Sequence, residues 1–304
     1  PTPRVPPVTI ATLSTSPDMP PPFPDPGNPR QFRSPRVSVQ GRGRLSRPRL
    51  PLPLPGRYNS PMDITGKVAL VTGGARRVGR SIALDLAEAG ADVVVNYFRS
   101  AQEAERTVAD IVALGRRAIA VRADVSLASD VDALVRRVAD TFGRLDILVN
   151  SASTFESAPL LAIDEAAWDR VLGVNLKGPF LLTRASVPLL RGHGGGVVIN
   201  IADLSAFQPW PNYAHHSVSK AGLVHLTRVL ARALGPDIRV NAIAPGTVLP
   251  PDDSTAEDLR RQRERTVLMR LGSPEGVNRA VRFLIESDYV TGEVVVVDGG
   301  RMLL

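Results

Sequence analysis

A glycine-rich turn is the first stretch of this chain whose residue types and spacing suggest chemistry. The run from Lys67 to Leu84, KVALVTGGARRVGRSIAL, passes from an apolar β-type stretch through Gly73, Gly74 and Gly79 into a helical pattern. Glycine lets the backbone approach a ligand closely, and the free N–H groups and positive dipole end of the following helix suit a phosphate. When such a turn opens a βαβ unit it indicates a dinucleotide site. The alternative is a tight strand-to-helix turn that binds nothing.

Polar residues that follow the next two predicted strands fit the adenosine half of such a ligand. After the second strand come Asn96, Tyr97, Phe98, Arg99 and Ser100. An acidic residue here would bind the ribose hydroxyls of NAD, whereas arginine and serine favour the 2′-phosphate of NADP. The alternative is an arginine that is simply solvated.

Asp124 follows the third predicted strand in the run RADVS. It is placed to accept a hydrogen bond from the adenine amino group. It also has the right character to cap the next helix, and both roles can hold.

Small residues follow the fourth predicted strand. Asn150, Ser151, Ala152 and Ser153 would let the nicotinamide end of a cofactor lie against backbone, and Phe155 offers a flat apolar face at the same edge. Core packing is the alternative for this phenylalanine. Asn175 lies in the helix that follows, within VNLKGPF.

The elements that must position these residues alternate regularly. We expect strands near 67–72, 92–97, 117–122, 145–150, 196–202, 238–243 and 294–298, and helices near 77–90, 101–115, 127–142, 165–190, 213–234 and 274–287. The strands are almost continuously apolar, as in a parallel sheet covered on both faces. The pattern predicts a single α/β domain over residues 63–304, a Rossmann-type, doubly wound, seven-stranded parallel sheet with helices on both faces. The stretch Thr247 to Met269 interrupts the pattern and is expected to be a lid over the substrate.

Residues 1–62 differ in composition from the rest. They hold 17 of the 27 prolines without sustained periodicity, so we expect a disordered Pro/Arg-rich N-terminal extension. Nine arginines and two aspartates lie there, and their difference equals the formal net charge of +7 of the whole chain. The basic balance therefore says nothing about the substrate of the domain, and we expect no nucleic-acid partner. A further hypothesis is that the protein begins at Met62.

Other residue types exclude several classes of site. The chain has no cysteine, which excludes disulfides and thiolate chemistry, and its four histidines form no HExxH motif, so no metal is expected. No apolar run reaches membrane-spanning length, and we expect a soluble, cytoplasmic protein without a membrane partner.

Several motifs in order resemble the short-chain dehydrogenase/reductase family. They are the T-G-x-x-x-x-x-G turn at Thr72 to Gly79, NSAS at Asn150 to Ser153, Asn175, the helix ending in SVSKAG, APG at Ala244 to Gly246, and VTGEVVVVDGG near the C-terminus. The resemblance covers about residues 63–304. It implies a nicotinamide cofactor, with further contacts from Arg76, Val78, Val125, Ala152, Pro245 and Gly246.

Finer details resemble the pteridine reductases within that family. Arg77 stands where most members have glycine, and in those enzymes this arginine reaches the cofactor phosphate and the pterin. The turn at Phe98 to Ser100 matches their binding turn for the 2′-phosphate. Ser153 and Phe155 match positions that hydrogen-bond and stack on the pterin, with Tyr213 also expected near the substrate. Asp203 matches a catalytic aspartate where most of the family has serine.

The chain departs from the family at the catalytic pair Tyr-x-x-x-Lys. Lys220 is in place, and by resemblance it holds the ribose hydroxyls and raises the local positive potential, but His216 stands four residues before it. Asp203 lies thirteen residues before His216, as in the family. Three interpretations stay open: His216 donates the proton, Tyr213 takes over one helical turn earlier, or proton transfer is impaired.

The resemblance therefore implies an NADPH-dependent reductase that transfers hydride to a C=N bond of a dihydropteridine or folate-like ring. Asp203, His216, Lys220 and Asn175 would form its catalytic group. One alternative is a carbonyl or 3-oxoacyl thioester reductase, and another is a catalytically weak NADP(H)-binding or regulatory protein. The family further implies a homotetramer assembled through the helices near 165–190 and 213–234.

Overall fold

The computed structural model describes residues 61–250 and 253–304, in which strands and helices alternate. The strands are β1 (Val68–Val71), β2 (Asp92–Tyr97), β3 (Ala118–Arg122), β4 (Ile147–Asn150), β5 (Gly196–Ile201), β6 (Ile238–Pro245) and β7 (Val294–Val297). The helices are α1 (Arg77–Glu88), α2 (Ala101–Ala113), α3 (Ala128–Phe142), α4 (Glu165–Leu172), α5 (Gly178–Gly192), α6 (Ala214–Leu234), α7 (Ala256–Glu264) and α8 (Pro274–Glu286). The extension expected over residues 1–62 lies outside the described residues except for its last two.

The seven strands form one parallel sheet in the order β3-β2-β1-β4-β5-β6-β7. Every neighbouring pair is parallel, from Val93 beside Ala118 at one end to Pro245 beside Val297 at the other. The strand order reverses between β1 and β4, so the helices after these two strands lie on opposite faces. A crevice at the carboxyl ends is the consequence, and this is where ligands of such sheets bind. The predicted single-domain Rossmann-type fold is confirmed.

Two apolar layers cover the sheet. On one face, Ile82 and Leu86 of α1 pack with strand residues and with α8. On the other face, Leu134 of α3 and Leu182 of α5 pack against the alternate strand residues. Burying a leucine or isoleucine side chain contributes about 1.5–3 kcal/mol. The strand ends that carry polar residues are therefore held rigidly by a core on both sides.

The helix expected near 165–190 is present, and it contains a π-helical segment. α4 ends at Leu172, and Gly173–Lys177 form a π-helical segment before α5 begins. A π-helical turn inserts one residue into the i→i−4 ladder and often marks a functional site. Here it turns Asn175 inward, where the residue is fully buried.

The expected lid contains a short polar helix. α7 has no buried residue and begins with a capping box in which Thr255 and Asp258 exchange hydrogen bonds. Because it buries no apolar face, α7 is held chiefly by its cap and its own ion pairs.

Among the described residues, no helix is long and apolar enough to cross a bilayer.

Candidate active site

A cleft of about 940 Å³ lies at the carboxyl ends of the central strands. It is lined by residues from the first turn of α1, the ends of β4, β5 and β6, the start of α6, and the lid. The predicted site residues that line it are Arg77, Val78, Ser151, Ser153, Phe155, Asp203, Tyr213, His216, Lys220, Pro245 and Gly246. Segments far apart in the sequence thus meet at one place, as the strand-end argument requires.

The turn before α1 has the shape of a phosphate cradle. Its N-cap residue, Arg76, makes no side-chain capping hydrogen bond, so the first N–H groups of α1 remain available to a ligand. Gly73 has φ +62°, and a Cβ atom there would lie 3.0 Å from the Cα atom of Ala152. A Cβ on Gly79 would lie within clashing distance of the Gly73 carbonyl oxygen. The glycines are therefore required, and the turn fits the pyrophosphate of a dinucleotide.

Arg77 adopts a backbone conformation that suits glycine. Its φ is +51°, in the left-handed region. Its guanidinium Nη2 donates to the carbonyl oxygens of Leu249, at 2.5 Å, and Pro250, at 3.4 Å. Arg77 therefore ties the phosphate turn to the segment after β6, at the start of the expected lid.

At the adenosine end, Asn96 does not behave as expected. Its side chain is buried, and Nδ2 donates to the Ala123 carbonyl oxygen at 3.1 Å and to that of Val121 at 3.3 Å. The amide thus joins the ends of β2 and β3 and is no longer free for a ligand. Phe98 is exposed, and the guanidinium carbon of Arg99 lies 5.5 Å from its ring centre.

Asp124 forms a turn and does not cap α3. Its Oδ1 accepts from the backbone N–H of Ser126 at 2.9 Å and from the Ser126 hydroxyl at 2.7 Å. The N-cap of α3 is Leu127, three residues after Asp124, which corrects the expected capping role. Val125 is buried beneath this turn, and Ser100 is the N-cap residue of α2.

Asn150 is also turned into the protein. It is buried, and its Nδ2 donates to Oδ1 of Asn200 at 2.8 Å. The side chain therefore stabilises the β4–β5 pair and does not line the cleft. The two residues after it, Ser151 and Ala152, donate their backbone N–H groups to the Thr72 hydroxyl at 2.9 and 3.0 Å, which fixes the end of β4 against the phosphate turn.

Aromatic rings form one wall of the cleft. Phe155 is 57% exposed, so the core-packing alternative is wrong. Its ring stacks on Tyr213 at 4.5 Å between centroids and meets His216 edge to face at 4.7 Å. Trp210 completes the group at 6.5 Å from Phe155. Sequence reasoning missed Trp210, whose only local signal is its position between two prolines.

Asp203 and His216 are in direct contact. Nε2 of His216 lies 2.5 Å from Oδ2 of Asp203. The other carboxylate oxygen, Oδ1, accepts from the backbone N–H of Ser205 at 2.8 Å and from its hydroxyl at 2.5 Å, in a short 3₁₀ turn that Asp203 caps. The imidazole is almost fully buried, whereas the carboxylate is 21% exposed toward the cleft.

The other ring nitrogen of His216 also faces an oxygen atom. Nδ1 lies 3.1 Å from the carbonyl oxygen of Thr154 and 3.2 Å from Nδ2 of Asn175. The Asn175 amide is oriented by its Oδ1, which accepts from the Thr154 backbone N–H at 2.8 Å and the Ser153 hydroxyl at 3.2 Å. Its two Nδ2 hydrogens point to the Thr154 carbonyl and the Ser219 hydroxyl, both at 3.0 Å. Each ring nitrogen of His216 therefore lies within hydrogen-bond distance of an oxygen atom, Nδ1 of the Thr154 carbonyl oxygen and Nε2 of the Asp203 carboxylate.

Lys220 lies one turn of α6 after His216, on the same face. It is buried, and its Nζ donates to the Ile201 carbonyl oxygen at 2.8 Å. Burial lowers the pKa of Lys220, and the nearby Asp203 charge offsets this only in part. Burial raises the pKa of Asp203, but the hydrogen bond from His216 and the positive charge of Lys220 outweigh it and leave that pKa below its usual value. The ammonium and carboxylate therefore stabilise each other's charged forms.

The comparisons with known proteins agree with this fold and cleft. A family model described as Enoyl-(Acyl carrier protein) reductase matches residues 73–301. A 3-oxoacyl-[acyl-carrier-protein] reductase of Synechocystis sp. is 39% identical over 246 residues, which cover 79% of this chain and 98% of that protein. The 3-oxoacyl-[acyl-carrier-protein] reductase FabG of Staphylococcus aureus is 37% identical over 78% of this chain and 98% of its own length.

A solved structure of similar sequence has the same fold. The crystal structure of a dehydrogenase/reductase from Sinorhizobium meliloti 1021 superimposes with a TM-score of 0.74 at 38% identity, covering 79% of this chain and 97% of that one. The relatives are named for acyl-carrier-protein substrates and not for pteridines, so they favour the carbonyl alternative over the pteridine expectation. Fold, motifs and relatives agree, and the chain belongs to the short-chain dehydrogenase/reductase family of NAD(P)-dependent oxidoreductases.

Proposed function

We propose that this protein is an NADPH-dependent carbonyl reductase whose substrates are 3-oxoacyl thioesters. The observation that carries the proposal is the Asp203, His216 and Lys220 group, which lies in the same cleft as the phosphate turn. The names of the two reductases to which the chain is similar support the substrate class.

The residues of the cleft fit a dinucleotide. The α1 turn with Gly73 and Val78 would hold the pyrophosphate, Arg99 and Ser100 the 2′-phosphate, and Lys220 the nicotinamide ribose. Bound NADPH would supply the hydride. The protein's contribution is to orient the carbonyl group and to provide the proton that its oxygen requires.

We assign the last step of proton delivery to Asp203. His216 lines the cleft but its ring is almost fully buried, and its Nε2 atom is in contact with the more exposed Asp203 carboxylate, which is therefore the group best placed to carry a proton to the substrate. The Asp203 carboxylate would accept a proton from His216 Nε2 and pass it to the oxygen of the substrate carbonyl group. Asp203, whose carboxylate is 21% exposed, would then return a solvent proton to Nε2. In this arrangement His216 is the proton source and Asp203 the acid that touches substrate.

Reduction of a dihydropteridine is the second candidate. The exposed Phe155 ring, stacked on Tyr213, offers a flat surface for a heterocycle, and Arg77 lines the same cleft. A ring-shaped substrate would be inhibited competitively by folate antagonists, whereas an acyl thioester would not.

The test measures NADPH oxidation by the full chain with acetoacetyl-CoA, 7,8-dihydrobiopterin and dihydrofolate in parallel, and with NADH in place of NADPH. Turnover of the thioester with a preference for NADPH supports the proposal. Turnover of a pterin alone would replace it with the second candidate. Binding of NADPH without reduction of any substrate would favour a weakly catalytic NADP(H)-binding protein.

We also propose that the protein is a cytoplasmic homotetramer that uses the exposed faces of α5 and α6. Phe180 on α5 is 41% exposed and Val218 on α6 is 48% exposed. Exposed apolar side chains on neighbouring helices are typical of subunit interfaces. Light scattering after size-exclusion chromatography should give four chains, and Phe180→Arg should lower that number. A monomeric parent protein would rule the assembly out.

A further inference from the structure

We propose that Arg265 and Arg301 form a subsite for an anionic group of the substrate, a carboxylate or a phosphate remote from the reacting carbonyl. The inference rests on the proposed function, because it names the class of carbonyl compound that the cleft accepts. Both arginines line the cleft that holds Asp203 and His216. They come from segments outside the cofactor-binding half of the fold, at the end of α7 and after β7.

Arg301 is held in place by a hydroxyl group and an aromatic ring. Its Nη1 donates to the Thr247 hydroxyl at 3.1 Å, and its guanidinium carbon lies 6.0 Å from the Trp210 ring centre. The nearby carboxylate of Asp298 accepts the backbone N–H groups of Gly300 and Met302, each at 2.8 Å, and so is already engaged. A guanidinium fixed in this way is oriented while it keeps N–H donors for a ligand.

Arg265 follows the last residue of α7. The neighbouring Arg260 and Arg261 pair with Glu257 and Asp258 on the same helix. Within residues 61–250 and 253–304, by contrast, no carboxylate forms an ion pair with Arg265. Arg265 therefore brings an uncompensated positive charge to the wall of the cleft.

The two guanidinium groups repel each other. Burial lowers the pKa of Arg301, the positive charge of Arg265 lowers it further, and Asp298 opposes both effects. Two like charges facing one cleft are destabilising unless an anion binds between them. Carboxylates and phosphates match the planar donors of arginine, which makes them the expected ligands.

The balance of charges over the whole cleft also favours an anionic ligand. Among its described lining residues, Arg77, Lys220, Arg265 and Arg301 are basic, and Asp203 is the single carboxylate. Arg77 and Lys220 lie on the side of the phosphate turn and the nicotinamide ribose. Arg265 and Arg301 remain available to the substrate, and Arg301 lies beside Trp210 of the aromatic wall.

The test compares three substrates that share an acetoacetyl-type ketone. One is the neutral thioester of N-acetylcysteamine, one is the same thioester of a 3-oxo dicarboxylic acid, and one is acetoacetyl-CoA. Arg265→Gln, Arg301→Gln and the double variant are measured beside Arg260→Gln, a control of the same residue type outside the cleft. Loss of a charge-assisted hydrogen bond predicts a fall of about tenfold to a hundredfold in kcat/KM for the anionic substrates, and little change for the neutral one.

The pattern of loss identifies the source of the anion. A selective fall with the dicarboxylic substrate indicates a carboxylate, and a selective fall with the CoA thioester indicates a phosphate. An equal fall with the neutral thioester, or no fall with any substrate, would overturn the subsite.

A binding measurement separates this inference from the proposed function. If the parent protein reduces none of the three substrates, the proposed function fails, and thermal unfolding with malonate or inorganic phosphate then tests the subsite alone. Stabilisation by either anion that disappears in the double variant, but not in Arg260→Gln, supports the subsite. The absence of stabilisation in the parent protein rejects it.

Discussion

The Nε2 atom of His216 lies 2.5 Å from Oδ2 of Asp203, at the position where the family pattern places a tyrosine and a serine. A tyrosine hydroxyl would extend beyond the reach of this ring nitrogen, toward the space that the carboxylate occupies. The two departures from the usual family residues are therefore in direct contact in this protein, and the carboxylate is the more exposed of the two groups.

This relationship predicts that the two positions must be changed together. We expect His216→Tyr alone to lower kcat by about tenfold or more, because the phenol and the Asp203 carboxylate compete for the same space. The double variant Asp203→Ser with His216→Tyr recreates the usual pair and should recover much of that loss. Steady-state rates of NADPH oxidation with acetoacetyl-CoA measure both effects.

His216→Gln is the matched control for that experiment. Glutamine can still donate a hydrogen bond to Asp203 but cannot hold a transferable proton, so kcat should fall by about 10²–10⁴-fold while NADPH affinity stays the same. A single His216→Tyr variant that is faster than the parent protein would contradict the proposed role of Asp203.

The hydrogen bond from His216 and the charge of Lys220 beside Asp203 predict loss of stability in acid. The folded pKa of Asp203 is lowered, so its contribution to stability is present above the unfolded value and is lost as the pH falls through the folded one. We expect Asp203→Asn to destabilise the protein by about 1–3 kcal/mol near pH 7. The difference should shrink below about pH 4, the usual pKa of an aspartate.

Urea unfolding of both proteins at several pH values measures this. Asp253→Asn is a suitable control, because Asp253 is exposed and its replacement should leave the pH dependence unchanged. If the difference in free energy of unfolding between the parent protein and Asp203→Asn were constant across the acidic range, the carboxylate would stabilise the fold without its charge.

The sequence predicts the sheet and the chain segments of the cleft well, because continuous apolar runs and strand-end positions are local properties. It predicts side-chain direction poorly. Asn96 and Asn150 stand at strand ends as ligand residues would, yet both are buried and bond to the chain. In strands covered on both faces, hydrophobic alternation does not show which polar side chain turns toward the cleft.

Contacts between distant segments were not predictable either. Trp210 lies in a loop, Arg265 follows a lid helix and Arg301 stands near the C-terminus, and no spacing rule joins them. The left-handed backbone of Arg77 was not predicted. The structure adds the contacts with Leu249 and Pro250, which no local pattern encodes.

Burial of Lys220 predicts that its replacement by an uncharged residue lowers activity without lowering stability. Its folded pKa is lowered by burial, so the charged form opposes folding, and stability should rise with pH as the lysine loses its proton between the folded pKa and the higher unfolded one. Lys220→Met removes the buried charge and keeps the length of the side chain. We expect this variant to be as stable as the parent protein, or up to about 1 kcal/mol more stable, and to have little reductase activity.

Thermal unfolding and NADPH oxidation together test this prediction. The variant should also lose the alkaline rise in stability that the parent protein shows. A strongly destabilised Lys220→Met protein would mean that the bond to Ile201 and the attraction of Asp203 outweigh the cost of burial.

The backbone of Arg77 allows a comparison that isolates conformational strain. Arg77→Ala and Arg77→Gly both remove the bonds to Leu249 and Pro250, and they differ only in the Cβ atom at φ +51°. Glycine adopts this conformation freely, whereas alanine does not, so the Arg77→Gly protein should be about 1 kcal/mol more stable than the Arg77→Ala protein. Urea unfolding measures the difference.

Both Arg77 variants should lose NADPH affinity to the same extent, because the guanidinium is absent from each. Fluorescence titration with NADPH measures this affinity independently of the stability of the fold. If the alanine variant were the more stable of the two, the left-handed backbone would not be retained at this position, and the turn would have rearranged. A difference in stability with equal affinities would mean that the strained backbone of Arg77 costs stability without affecting the binding of NADPH. The compensation would then come from its side chain, which joins the phosphate turn to Leu249 and Pro250.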